Sequence, residues 1–105
     1  MDTSEIYTKQ CDCPEVQEAC AKQMKGYSPT HGLWKPTQDM IQEMLGRTDL
    51  AFCIYQLENG WGGEIYQDRE QVFSVEADSP EQVWLSFYML EKHKKIWDGE
   101  KWHSD

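Results

Sequence analysis

Apolar side chains in the first half of the chain recur at helical spacing in two places. The first run begins at Pro14, a residue suited to the first helical position, and continues to Met24. In the second run Thr37 is a suitable N-cap, apolar residues form a stripe over positions 40–45, and Gly46 follows as a helix stop. The pattern therefore predicts two short N-terminal helices.

The pattern then changes to short runs rich in β-branched and aromatic side chains, which are typical of strands. Residues 50–57 predict a first strand, and the Asn59-Gly60 pair after it is typical of a tight hairpin turn. Two further strands are predicted over residues 64–66 and 71–77. We expect the three strands to form an antiparallel meander.

The last part of the chain predicts a long helix that starts after the cap Ser79 and the N-terminal Pro80. Seven of the eight residues 83–90 are apolar or aromatic. A helix that is apolar nearly all round is buried on most sides, so we expect it to lie across the sheet. An Asp-Gly turn then separates Trp97 from Trp102, and we expect these two rings to pack together or to cover the helix end.

Together these elements predict an α+β fold: a three-stranded antiparallel sheet packed by a long buried C-terminal helix, with two short N-terminal helices. A length of 105 residues leaves no room for a second core, so residues 1–105 are expected to form a single domain. Residues 1–12 show no period and are expected to form a loose arm. Residues 26–32 are rich in Gly, Pro and Ser and are expected to form a loop.

The balance of charged residues argues against one class of function. Ten basic residues stand against 19 acidic ones, and the net charge is −9. A general nucleic-acid binder is not expected, because phosphate contacts need a surplus of Lys and Arg. No run of 18 apolar residues is present and the first ten residues lack an apolar core, so we expect a cytoplasmic protein without a membrane span or secretory signal.

The four cysteines are expected to be free thiols in a reducing compartment. Cys53 lies in an apolar run and is expected to act as a small core residue. Cys11, Cys13, Cys20 and His31 could supply four zinc ligands, but their spacing differs from the paired ligands of structural zinc sites. Incidental thiols are the favoured interpretation, and a zinc site and a disulfide or redox role stay open.

Catalytic motifs are not found in the sequence. His31, His93 and His103 have no serine or cysteine beside them in a nucleophile motif. The glycine-rich residues 60–63 lack the lysine of a phosphate-binding loop and do not precede a helix, so they are interpreted as part of a hairpin. We expect a protein that is not an enzyme and that needs no cofactor.

Acidic residues are concentrated in the predicted sheet. Residues 58–81 contain seven acidic side chains and a single basic one. This density has two interpretations, a well-solvated surface or a phosphate-like face for the basic groove of a protein. The candidate binding residues are Glu58, Trp61, Glu64, Asp68, Glu70, Glu76 and Asp78. Trp61 is either tucked under the hairpin or exposed as a contact anchor.

Three segments, about a third of the chain, carry a resemblance: residues 33–45 (LWKPTQDMIQEML), 79–89 (SPEQVWLSFYM) and 91–102 (EKHKKIWDGEKW). They are similar to small uncharacterised proteins carried by phages and prophages of gut bacteria and other Firmicutes. The resemblance implies a phage context, in which small acidic proteins are often antagonists of host defence, including anti-CRISPR and anti-restriction proteins. Several such antagonists occupy a nucleic-acid groove.

The leading hypothesis is therefore a phage-type acidic inhibitor that binds the basic groove of a host nucleic-acid-binding protein, such as a CRISPR effector, without binding nucleic acid or a membrane itself. An alternative is a phage structural or replication-accessory protein that acts through Trp61 or through the turn between Trp97 and Trp102. A third is a small metal-binding protein that uses the cysteines and His31.

Overall fold

The computed structural model describes residues 2, 4–23, 32–46 and 50–104 of the chain. The helices of this part are α1 (Glu5–Cys11), α2 (Pro14–Gln23), α3 (Gln38–Leu45) and α4 (Pro80–His93). The strands are β1 (Ala51–Leu57), β2 (Gly60–Gln67), β3 (Glu70–Ala77), β4 (Lys95–Trp97) and β5 (Trp102–Ser104). Within the described residues, none of the helices has the length and apolar content needed to cross a bilayer.

Strands β1, β2 and β3 form an antiparallel meander with β2 in the centre, which confirms the predicted sheet. Helix α4 packs against β2 and β3 on one face of the sheet, and α3 and α1 contact the helix as well. The α+β class is therefore confirmed. Strands β4 and β5 form a separate hairpin in which the Trp97 and Trp102 ring centroids lie 5.2 Å apart, which confirms the predicted pairing of these rings.

An aromatic cluster around Phe87 packs between α4 and the face of the sheet that α4 covers. The Phe87 ring centroid lies 5.3 Å from that of Phe52 and 5.5 Å from that of Trp84. Gly63 makes this approach possible, because a Cβ atom there would lie 2.3 Å from Val83 Cγ1 and 2.6 Å from Phe87 Cζ. The strand predicted over residues 64–66 is therefore longer in the structure. As β2 it begins at Gly60 and includes three glycines, although glycine has a low strand propensity.

The opposite face of the sheet is open, and it contains Cys53. Side chains alternate along a strand, so Cys53 faces away from its neighbours Phe52 and Ile54 and pairs across the strands with Glu64. Its side chain is exposed. The prediction that Cys53 is a core residue is therefore wrong, because an apolar run alone does not decide which alternate positions of a strand face the core.

The prediction of a loose arm over residues 1–12 is wrong for most of that segment, since it contains α1. Ser4 is the N-cap, and its Oγ accepts a hydrogen bond from the backbone N–H of Tyr7. Tyr7 and Cys11 are fully buried, and Gln10 between them is 3% exposed. A polar residue in the buried stripe hides the helical period, whereas the Ser4 cap and the four-residue spacing of Tyr7 and Cys11 could have revealed it.

Asp2 connects the start of the chain to the first turn of α4 through hydrogen bonds. Its Oδ2 accepts hydrogen bonds from Ser79 Oγ at 2.5 Å and from Gln82 Nε2 at 2.7 Å. Its backbone N–H donates to Glu81 Oε1 at 2.9 Å. Ser79 caps α4 as predicted, with its Oγ accepting from the Gln82 N–H. These contacts connect residues that are almost 80 positions apart in the sequence.

The remaining helix predictions are close to the structure. Helix α2 begins at the predicted Pro14, and α3 has Thr37 as its N-cap and Gly46 as its C-cap. Met24 and most of the predicted loop over residues 26–32 lie outside the described residues.

The two adjacent glycines of β2 give a matched test of the packing under α4. We expect Gly63→Ala to lower the free energy of unfolding by about 1–3 kcal/mol, because the new methyl group collides with Val83 and Phe87 in the core. Gly62→Ala should cost less than about 1 kcal/mol, because its methyl group meets the partly exposed Tyr55 ring, which can move into solvent. Urea denaturation of both variants measures the difference. Equal losses would contradict this account of Gly63.

The Asp2 contacts predict an acid-sensitive contribution to stability. Burial acts to raise the pKa of Asp2, but the hydrogen bonds from Ser79, Ser4 and Gln82 outweigh it and hold that pKa below its ordinary value. A lowered pKa means that the stabilisation is complete above the unfolded-state pKa of about 3.9 and is lost as the pH falls through the lower folded-state value.

We therefore expect Asp2→Ala to lower the free energy of unfolding by about 1 kcal/mol near neutral pH, and by less at an acidic pH below the folded-state pKa of Asp2, where protonation removes the charge of the wild-type carboxylate. Denaturant unfolding at both pH values measures this. Asp12→Ala, which removes an exposed carboxylate, is the control and should have little effect at either pH. A loss for Asp2→Ala that does not change with pH would show that the carboxylate charge is unimportant.

Candidate functional site

The structure divides the predicted acidic residues between the two ends and the open face of the sheet. Glu58 lies in the turn between β1 and β2, at the same end as Glu76 and Asp78, which lie at and after the end of β3. Asp68 and Glu70 lie at the opposite end, in and after the turn between β2 and β3. About 25 Å of strand separates the two ends, so the carboxylates do not form one compact patch.

Three of these carboxylates meet around a shallow cleft at the first end of the sheet. Glu58, Glu76 and Asp78 line the cleft together with Trp61, and its volume is about 470 Å³. Trp61 is partly buried and packs against the core, yet it also lines the cleft. The two interpretations of Trp61, as a residue tucked under the hairpin and as an exposed contact anchor, are thus each correct in part. We call Glu58, Trp61, Glu76 and Asp78 the acidic cleft.

The acidic cleft is not neutralised by the cations of the described residues. The ion pairs there join Lys9 to Glu5 at 3.8 Å and Lys95 to Glu15 at 2.6 Å, and a further pair joins His103 to Asp98. In the part of the chain that the structure describes, none of the three cleft carboxylates has a basic nitrogen within 4.0 Å. Their charge is therefore directed at solvent, where it can attract a cation.

Glu64 lies on the open face of the sheet and is engaged within the protein. It accepts a hydrogen bond from the Tyr66 hydroxyl, and this bond raises the pKa of Tyr66 above its ordinary value. The Tyr55 ring lies on the same face, against Gly62. Sequence reasoning did not single out either tyrosine, although strand alternation places both beside Glu64.

Asp68 lies in an exposed tight turn, and Glu70 follows this turn as the first residue of β3. Asp68 and its neighbour Arg69 both have left-handed backbone conformations, with φ of 52° and 70°. Arg69 is the one basic residue of this stretch of sequence and stands directly between the two carboxylates in the chain. This end of the sheet therefore offers less net negative charge than the acidic cleft.

The two described histidines contact neighbouring side chains. A ring nitrogen of His93 lies 3.2 Å from the Tyr88 hydroxyl. His103 pairs with Asp98 across the β4–β5 turn, and this contact together with backbone N–H groups lowers the pKa of Asp98. Each histidine therefore contacts a side chain only five positions away in the sequence.

The cysteines differ in accessibility. Cys11 and Cys20 are fully buried, and Cys13 is partly buried. Burial raises the pKa of the Cys11 thiol, and it raises that of Cys20 to about 11. Across the described residues no group of three or more His, Cys, Asp or Glu is arranged to hold a metal ion, and His31 lies outside those residues.

Thiol reactivity should follow this order. We expect a thiol-specific disulfide reagent to modify Cys53 rapidly in the folded protein, because it is exposed, and to reach Cys11 and Cys20 only on unfolding. The time course of modification with and without denaturant measures this. Cys53→Ser should remove the rapid phase. A rapid phase that remains in Cys53→Ser and modifies Cys20 would contradict the burial of Cys20 in the structure.

Comparison of the chain with known protein families, with curated proteins and with solved structures found no match. What the acidic cleft binds has to follow from its own charge and shape.

Proposed function

We propose that this chain is a non-enzymatic, phage-type acidic binding protein that inhibits a host nucleic-acid-binding defence protein, such as a CRISPR effector, by occupying its basic groove. The observation that carries the proposal is the acidic cleft, in which Glu58, Glu76 and Asp78 surround Trp61 without a neutralising cation among the described residues. Carboxylates grouped in this way present negative charge to Lys and Arg side chains as phosphates do.

The composition of the cleft supports binding to a protein. Tryptophan is enriched among the residues that contribute most to protein interfaces, and its ring face attracts Lys and Arg cations. The net charge of −9 adds long-range attraction toward a basic groove and accelerates association at low salt. The resemblance to small phage proteins provides the biological context.

The test is inhibition of DNA cleavage by a panel of CRISPR effector nucleases at two salt concentrations. We expect inhibition to weaken at least about tenfold between roughly 50 and 300 mM salt, because salt screens the surface charges. The variant with Glu58→Lys, Glu76→Lys and Asp78→Lys should lose inhibition at low salt, because the cleft then repels the groove.

The matched control reverses three exposed carboxylates on the helical side of the molecule, with Asp12→Lys, Glu18→Lys and Glu43→Lys. Both triple variants carry the same net charge, so the control should keep inhibition within about threefold of the wild type. Equal losses of inhibition in both variants would show that inhibition depends on the overall charge of the protein and not on the acidic cleft. A complex that resists salt and is lost on Trp61→Ala would favour the alternative, a structural or replication-accessory phage protein.

A further inference from the structure

Strand β3 forms one edge of the sheet, and among the described residues no strand pairs with its outer side. Along such an edge, alternate residues direct their backbone N–H and C=O groups away from the sheet. The backbone of β3 forms no hydrogen bond to a backbone group outside the sheet in the part of the chain that the structure describes. An extended segment of another molecule can therefore pair with these groups as an added strand.

Residues 73–77 (FSVEA) are the regular part of this edge. They pair with β2 in unbroken register, whereas the ladder shifts beyond Phe73, where β2 passes from Ile65 to Tyr66. Natural edge strands are commonly protected against pairing by Pro, Lys or a bulge. Residues 73–77 contain neither Pro nor Lys, and the irregularity lies outside them. This stretch of the edge is therefore suited to pairing with a strand.

A cavity of about 210 Å³ lies beside this stretch and is lined by four of residues 73–77. Side chains alternate along a strand, so Val75 faces the side under α4 and Glu76 faces the open side. Both residues nevertheless line the cavity, as expected for a space that borders the edge of the strand and not only one of its faces. We call this cavity the edge groove. The β4–β5 hairpin lines it with Ile96, Trp97 and Trp102.

The edge groove offers apolar surface to an added strand. Phe73, Val75 and Ala77 are only partly buried, although they lie on the core side of β3. Ile6 and Ile96, which also line the groove, are 43% and 37% exposed. Apolar side chains of an added strand would remove this surface from water, which favours binding. The groove is smaller than the pockets of about 300–1,000 Å³ that hold drug-sized ligands, so it suits individual side chains.

The charged residues of the edge groove specify the chemistry of the partner. Glu76 and Asp78 are exposed and line the groove, and none of its described lining residues is basic. The ion pairs of the described residues involve neither carboxylate. A residue directly opposite Glu76 on an added strand would lie on the same face, where an opposite charge stabilises the pairing. Charge complementarity therefore favours a segment in which basic residues alternate with apolar ones.

We infer that residues 73–77 bind an extended segment of a protein partner as a fourth strand of the sheet, with apolar side chains in the edge groove and a Lys or Arg opposite Glu76. The inference deepens the proposed function and rests on it in one respect, namely that the partner surface is basic. The other edge strand, β1, contains no charged residue, so charge does not select a partner there.

The experiment is an NMR titration of the isotope-labelled full chain with the peptide acetyl-Val-Lys-Val-Lys-Val-amide, which matches residues 73–77 in length and alternation. We expect saturable shifts of the β3 backbone signals and slower hydrogen exchange of its outward N–H groups, because the peptide accepts hydrogen bonds from them. Peptides with Glu in place of Lys, or with Ser in place of Val, should bind at least about fivefold more weakly. Equal binding of either peptide, or shifts confined to β1, would overturn the inference.

N-methylated peptides test strand pairing itself. Only alternate residues of a strand direct their N–H groups toward a given neighbour. Methylation of either the Val or the Lys nitrogens should therefore abolish binding, and methylation of the other set should preserve it. Equal effects of the two sets would overturn the inference.

Glu76→Lys should weaken binding of the unmethylated lysine peptide at least about fivefold, because it places like charges opposite each other. Glu58→Lys is the matched control, since it makes the same change of charge at an exposed residue that lines the acidic cleft and not the edge groove. The control should keep the affinity within about twofold of the wild type. Equal losses in the two variants would overturn the inference.

Analytical ultracentrifugation of the full chain without peptide tests a different occupant, a second copy of this chain. The chain should remain monomeric, and a dimer whose formation shifts the β3 signals would overturn the inference. The peptide titration needs no partner protein. Its failure is therefore distinguishable from a failure of the proposed function, which nuclease inhibition measures.

Discussion

The absence of a side chain at Gly63 is the constraint on which this fold depends. It lets Val83 and Phe87 of α4 reach the central strand, and the aromatic cluster around Phe87 forms on that contact. Helix α4 is covered by the sheet on one side and contacted by α1 and α3 as well. Because α4 covers one face of the sheet, the exposed carboxylates lie on the other face and at the two ends of the sheet.

The same arrangement positions the candidate site. The chain leaves β3 at Ala77 and enters the cap of α4 at Ser79. Glu76 and Asp78 are therefore held on a short segment between a strand and a helix, and Asp2 hydrogen-bonds to the cap itself. The acidic cleft lies beside this segment. A segment that is held at both of its ends favours binding at the cleft with little loss of conformational entropy.

Local signals in the sequence were sufficient for most elements of the fold. The caps at Thr37, Gly46 and Ser79 act within one helical turn, so they can be identified without knowledge of the tertiary structure. Two elements depended on distant contacts. Helix α1 places the polar Gln10 in its buried stripe, and β2 includes glycines that only the approach of α4 explains.

The sequence was sufficient to predict that acidic residues form the candidate site, but not which of them lie close together. The acidic density of the sheet is visible in the sequence, but strand length and register decide that Glu58 and Asp78 meet while Asp68 lies at the far end. Pairing of Glu64 with the Tyr66 hydroxyl likewise requires knowledge of which residues share a face.

The open edges of the sheet have a consequence for encounters between copies of the protein. Strand β3 is an edge strand, and an edge of this kind can pair with the edge of another molecule. Its two ends carry Glu70 and Glu76. Antiparallel alignment of two such edges would bring carboxylates toward one another, and like charges that face each other across strands are destabilising. The charge that would attract a basic partner thus also protects the protein against edge-to-edge aggregation.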